Sequence, residues 1–190
     1  MPRRAQLKDK MNTIRFLPLL LLGFLAGCAS TPLPDVATHI DRYTGVRTDI
    51  IPENYLESKV QPPRELLWLN ASRVFKNLAE FDYYLEVNYQ ATEETGYLNI
   101  TPGPSLVVVA DGQELKFMGN GSLNTRKTKR GLVSEDAIFL AGPAELKAIA
   151  NAKQVTVKVI GRNGIVERDF APANFARFKK FVLYFVDAGS

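Results

Sequence analysis

FDYYLEVNYQA, residues 81–91, alternates without a break. Phe81, Tyr83, Leu85, Val87, Tyr89 and Ala91 share one face; Asp82, Tyr84, Glu86, Asn88 and Gln90 share the other. Successive side chains of a β-strand point to opposite sides, so this period of two predicts a strand with one face buried and one face wet. One-sided burial belongs to antiparallel sheets. Tyr83 and Tyr89 are expected in the core. Tyr84 points the other way and is a candidate surface contact, because an aromatic ring with a polar tip suits a carbohydrate or lipid platform.

On the N-terminal side, Glu65 to Phe75 (ELLWLNASRVF) reads as the hairpin partner of this strand. A helix is also open there, since Leu67, Ala71, Val74 and Leu78 fall at helical spacing. On the C-terminal side, Thr101-Pro102-Gly103-Pro104 is a turn and Ser105 to Ala110 (SLVVVA) a buried strand. Asp111-Gly112 is a favoured two-residue hairpin turn, and Gln113 to Met118 returns from it. Gly119 to Gly131 is a polar, basic loop or frayed hairpin, and Val133 to Leu140 a further strand. Pro143 then opens a short helix near 143–151, where a missing N–H costs nothing and Glu145 suits the positive end. Gln154 to Ile160 alternates again, Asn163-Gly164 turns, and Ile165 to Phe170 returns. Phe175, Phe178, Phe181, Val182 and Phe185 recur at three- and four-residue steps, which predicts a helix near 173–186 with its apolar stripe on a sheet. Strand runs followed by helices imply an α+β fold: an antiparallel sheet of meander and hairpins with two helices packed on it. Ile40 to Pro63 stays ambiguous, an arm punctuated by Pro52, Pro62 and Pro63.

The first residues carry a different signal. Phe16 to Ala26 (FLPLLLLGFLA) is apolar and preceded by Arg15. A membrane-spanning helix needs roughly 20 apolar residues, whereas a secretory signal needs only about 7–15. The run closes on Leu25-Ala26-Gly27-Cys28, which resembles the lipobox of bacterial lipoproteins. The resemblance implies that Cys28 receives a diacylglycerol thioether, that the signal is cut between Gly27 and Cys28, and that the new amine is acylated with a chain such as palmitate. Ala29 follows the cysteine, where by the lipoprotein sorting rule an aspartate would favour the inner membrane. The resemblance therefore implies the periplasmic face of the outer membrane, where the organism has one. Residues 1–10 read either as an extension before a true start at Met11 or as a long basic n-region. The expected organisation is a signal over 1–27, a lipidated Pro-rich tether over 28–40 and a single domain over 41–190.

Composition narrows the chemistry. The formal charge of +4 is misleading, because residues 1–27 hold Arg3, Arg4, Lys8, Lys10 and Arg15 against Asp9 alone, leaving the remainder balanced. A nucleic-acid binder keeps a basic excess in its folded domain, so no nucleic-acid partner is expected. Cys28 is the one cysteine and His39 the one histidine. With Cys28 lipidated, no disulfide forms and no thiol remains for catalysis. His39 lies just after the tether and is expected to be exposed and inert. Histidine triads and His/Cys zinc sites then have no residues to build from, and no cofactor or metal is expected.

The one concentrated charge run after the signal is Arg126-Lys127-Thr128-Lys129-Arg130. Arg126, Lys127, Lys129 and Arg130 read either as a solvated loop tip or as a contact for anionic headgroups, cell-wall polymer or nucleic acid, the last disfavoured because no aromatic residue is interleaved for base stacking. Gly119-Asn120-Gly121-Ser122 reads as a turn, since no Lys-Ser or Lys-Thr pair follows at phosphate-loop spacing. Asp82 with Glu86, or Glu135 with Asp136, would serve as an acid/base pair only across a cleft. The expected function is a non-catalytic, lipid-anchored module that binds an envelope protein or cell-wall partner. The alternatives are a carrier holding an apolar ligand between sheet and helix, and a hydrolase using carboxylates alone.

Overall fold

The structure is a computed structural model and describes residues 36–76 and 80–188. Gly27 and Cys28, with the rest of the signal, lie outside the described residues. The strands are β1 (Ala37–Ile40), β2 (Arg47–Ile51), β3 (Tyr55–Leu56), β4 (Glu65–Phe75), β5 (Phe81–Thr92), β6 (Gly103–Ala110), β7 (Gln113–Gly119), β8 (Lys127–Lys129), β9 (Leu132–Ala141), β10 (Val155–Gly161) and β11 (Gly164–Asp169). Helix α1 is Pro143–Asn151, and α2 is Pro172–Phe181 continued by a wider π-type turn over Val182–Asp187. The fold is α+β, dominated by one antiparallel sheet.

Strand β5 is the hub. It pairs over its whole length with β4, Phe75 opposite Phe81 and Glu65 opposite Ala91, which settles residues 65–75 as a strand. Its other neighbour is β9, Tyr83 opposite Ala141 and Thr92 opposite Leu132. The sheet order is β1-β2-β4-β5-β9-β7-β6-β10-β11, so the expected sequential meander is corrected at its centre. After a turn closed by Gly96 N–H on Thr92 O, the chain runs past the β10–β11 hairpin. There Arg162 N–H donates to Asn99 O, and Asn163 N–H to Leu98 O. Strand β6 therefore begins on the far side of the sheet, and β9 returns to fill the gap.

A second correction concerns the tether. Ala37–Ile40 pairs with Arg47–Ile50, so the sheet already includes residues assigned to the Pro-rich stretch. The ambiguous arm is β2, which pairs with β4 at Thr48–Val74, and the short β3 opposite Trp68 and Leu67.

The two halves of the sheet meet at one residue pair, Gly119 of β7 opposite Phe139 of β9. A Cβ at Gly119 would stand 2.6 Å from the Phe139 ring and 2.7 Å from Ile138 O, so only glycine permits this approach. The inward side chains of both halves form one core, including Leu69, Leu85, Val87, Leu106, Val108, Phe117, Phe139, Val157 and Val159. Burial of such side chains, roughly 1.5–3 kcal/mol each, is the main force holding the fold.

The helices close the core. Pro143 opens α1, and the Glu145 carboxylate reaches back to the Gly142 N–H. Leu146, Ile149 and Ala150 face inward. In α2 and its extension, Phe178, Phe181, Val182, Phe185 and Val186 are buried, and Phe175 is half-buried against Phe170. Asn174 caps α2 by accepting the Ala171 N–H, and its amide donates to Asn54 Oδ1 and Tyr55 O. The Tyr83 hydroxyl donates to Phe185 O at 2.6 Å, tying β5 to the end of the chain. Burial pushes the Tyr83 hydroxyl above its usual range.

Candidate functional site

Strands β4, β5 and β9 bury one face under the helices and leave the other open. Register sets the rows of that face: Ser72, Tyr84 and Leu140 form one, Asn70, Glu86 and Ile138 the next, and Trp68, Asn88 and Asp136 a third; Ser72 and Asn70 are themselves buried, so the face is open over β5 and β9. Along one side of this face stands the segment 119–125. Together they enclose a groove of about 560 Å³, with Tyr84, Glu86 and Asp136 on its floor and Met118, Ile138 and Leu140 at its rim. The three rim residues are 61%, 55% and 57% exposed, unusual for large apolar side chains at one place. A second hollow of about 610 Å³, over Trp68, Asn70, Asn88 and Ser134, abuts the first and shares Asp136.

The groove wall is fastened through β9 from both faces. Inward, Glu135 is fully buried and accepts the Asn99 N–H at 2.9 Å, the Ile100 N–H at 3.2 Å and the Ser122 hydroxyl. Outward, the Thr125 hydroxyl bridges the backbone of Asp136, donating to its carbonyl and accepting its N–H. Gly121 lets the wall bend: its φ is +73°, and a Cβ there would lie 2.8 Å from Ile100 O. An amide ladder stiffens the floor. The Asn54 N–H donates to Asn70 Oδ1, Asn70 Nδ2 to Asn88 Oδ1, and Asn88 Nδ2 to Asp136 Oδ1 at 2.8 Å.

The floor carboxylates are electrostatically unequal. Burial pushes the Glu86 carboxyl above the usual carboxylate range; the Ser72 hydroxyl pulls it back, and the Asp136 charge pushes it further up. Asp82, which the sequence paired with Glu86, is engaged elsewhere. Lys76 Nζ lies 2.8 Å from it, the Tyr84 hydroxyl donates to it at 3.2 Å, and the Lys76 hydrogen bond holds it below its ordinary value. Glu135 and Asp136, the other expected pair, project to opposite faces of β9. The structure instead brings Glu86 and Asp136 together, diagonal neighbours on adjacent strands. They stand side by side on one floor. Hydrolysis by paired carboxyls needs them on either side of the scissile bond.

The basic segment divides. Arg126 turns inward, its Nε 3.9 Å from Glu135 Oε2 and its guanidinium 5.7 Å from the centre of the Tyr97 ring. Lys127 and Lys129 lie on β8 against β9 and are exposed, as is Arg130 at the tip, where its φ is +53°. The tip sits beside a turn carrying the exposed Glu93 and Glu94, whose first N–H donates to Gly131 O. Three cations rather than four face solvent, next to two opposing charges. His39 is exposed on β1. Tyr83 and Tyr89 are buried, and burial pushes the Tyr89 hydroxyl up to about 12. Between sheet and helix, the crevice beside Ile51, Ala71, Phe178 and Phe181 has no room for a water-sized guest, which counts against an apolar cargo there.

Sequence reasoning missed the rim and the Glu86–Asp136 pair. A signal was present: Ala137-Ile138-Phe139-Leu140-Ala141 is apolar on both faces of its strand. A strand of that kind is ordinarily covered on both sides, yet here the outer face stands open. Among the described residues, no cluster of three or more His, Cys, Asp or Glu is grouped to hold a metal ion, and no helix is long and apolar enough to cross a membrane. No family model matches the chain, and neither a curated protein nor a solved structure matches it.

Proposed function

We propose that the chain is a lipid-anchored lipoprotein of the bacterial envelope whose α+β domain is a non-catalytic binding module. The observation that carries the binding half is the groove on the open face of β4, β5 and β9. It combines an exposed apolar rim with polar groups on its floor, the pairing by which protein surfaces recognise partners. Its two acids share one floor instead of flanking a substrate, which favours capture over hydrolysis. The anchoring half rests on the lipobox-like Leu25-Ala26-Gly27-Cys28. Two or three acyl chains at Cys28 hold a domain on a bilayer durably, where one chain holds it marginally. Lys127, Lys129 and Arg130 then serve as an accessory contact for an anionic surface, worth about 1 kcal/mol each near such a surface and screened by salt.

The test is Cys28→Ser in intact cells. The wild type is expected to incorporate labelled palmitate and pellet with envelopes; the variant is expected to do neither. A variant that pellets and matures as the wild type does would overturn the anchor.

A further inference from the structure

We infer that the groove over β5 and β9 docks a segment of a partner protein that presents a lysine or arginine between apolar side chains. This deepens the reading of the domain as a binding module and rests on it. The charge pattern of the groove carries the inference. Glu86 and Asp136 share the floor, and neither has a salt bridge among the described residues. Asp136 takes one side-chain hydrogen bond, from the neutral Asn88 amide. The groups acting on Glu86 are its burial, the Ser72 hydroxyl and the Asp136 carboxylate, with no cation among them. The Asp136 carboxylate, of like charge, disfavours the ionised form of Glu86.

The nearby cations are committed elsewhere. Lys76 pairs with Asp82, Lys116 with Glu114, and Arg126 lies against Glu135. Other buried carboxylates of this chain show what Glu86 lacks. Asp49 holds Arg73 at 2.8 Å and Arg47 at 2.9 Å, and Glu65 holds Arg168 at 2.6 Å. No cation among the described residues fills this place, which leaves it open to one that a partner brings.

The rim selects the kind of cation. A metal ion would want several further oxygen ligands; Asn120 and Asn124 of the wall could offer two, but the Thr125 and Tyr84 hydroxyls are engaged with Asp136 and Asp82, and Met118, Ile138 and Leu140 line the rest with alkyl and thioether surface. That surface fits the methylene stem of lysine or arginine and the apolar side chains beside it. Met118 adapts its shape readily to such a guest.

The experiment uses the full lipid-anchored chain in detergent micelles, with methyl signals of Met118, Ile138 and Leu140 read by NMR. The probes are a capped five-residue peptide, leucine-valine-lysine-leucine-valine, its glutamine-centred and glutamate-centred versions, and magnesium. The lysine peptide is expected to shift these three methyl groups saturably. It should bind about ten-fold more tightly than the glutamine peptide, as one charge-assisted contact implies. The double variant E86Q/D136N should abolish that preference while keeping the fold, since each new side chain has the size of the old.

Equal binding of the peptides, or a lysine preference that survives E86Q/D136N, overturns the inference and leaves the binding-module reading standing. Saturable magnesium binding, or concentration-dependent shifts without peptide that signal a second copy of the chain, replaces the basic segment with another occupant and also overturns it. A lysine preference in vitro, with no crosslink to an envelope protein from a photoreactive side chain placed at Ile138 in intact cells, would instead count against the functional reading.

Discussion

Replacing Glu135 with alanine should loosen the groove without touching its lining. The carboxylate is fully buried and accepts two backbone N–H groups, from Asn99 and Ile100, together with the Ser122 hydroxyl. Arg126 lies alongside, 27% exposed. Truncation leaves three donors and a guanidinium facing an empty space. Each buried donor without a partner costs about 1–3 kcal/mol, but a water admitted to the vacated space can satisfy some of them. The net loss should resemble that of breaking other buried charged networks, about 3–5 kcal/mol. A domain of this size loses about 2–4 °C in Tm per kcal/mol. Glu135→Ala should therefore melt roughly 6–20 °C below wild type by circular dichroism. Glu135→Gln keeps one carbonyl oxygen and should fall between the two. Amide hydrogen exchange should accelerate first at Asn99, Ile100 and Ser122, and more slowly in β5. A Glu135→Ala protein within 2 °C of wild type, or faster exchange spread evenly over the sheet, would refute the role of this carboxylate.

Four further outcomes follow from the groove and its supports. Glu86→Gln should raise Tm at neutral pH: a carboxyl held above its ordinary range makes the native state lose stability as pH climbs from about 4.5 through the folded value. The gain over wild type should vanish near pH 4, and a melting series across pH checks it. Arg126→Gln should destabilise by about 1–3 kcal/mol, because it removes the cation beside a buried carboxylate. The triple change Lys127→Gln, Lys129→Gln, Arg130→Gln should stay within about 0.5 kcal/mol of wild type, as exposed substitutions do. Urea titrations of both variants separate these outcomes. Gly119→Ala should cost about 1–3 kcal/mol by overpacking against Phe139, read as a lower urea midpoint at unchanged slope.

Local chemistry made most elements legible. The alternation over residues 81–91, the Asp111-Gly112 and Asn163-Gly164 turns, Pro143 and the Phe175–Phe185 stripe each act within a few residues, and each element formed. The order of strands was not legible. That β9 lies between β5 and β7 depends on Leu98 and Asn99 bonding to residues 162 and 163, and on Gly119 admitting Phe139. Such contacts leave no periodic trace. The strand at Ala37–Ile40 was hidden for a related reason: Pro32 and Pro34 dominate the composition, while pairing with β2 supplies the order.

The site was legible only in fragments. Glu86 and Asp136 stood in view as acids, yet each was paired with a sequence neighbour. Register across β5 and β9 makes them partners. Arg126 read as one of four equivalent cations, whereas a buried glutamate on the adjacent strand turns it inward. A charge run in sequence thus overstated the positive surface, and an uninterrupted apolar run in β9 understated the exposed one.

The most direct measurement places a photoreactive side chain at Ile138, in the groove rim, or at Ile165, an exposed apolar position on β11, and irradiates intact cells. Ile138 should give one discrete adduct with an envelope protein, lost in Cys28→Ser and in E86Q/D136N, while Ile165 gives none. No adduct from Ile138, or the same adduct from both positions, would contradict a tethered module that holds its partner in this groove.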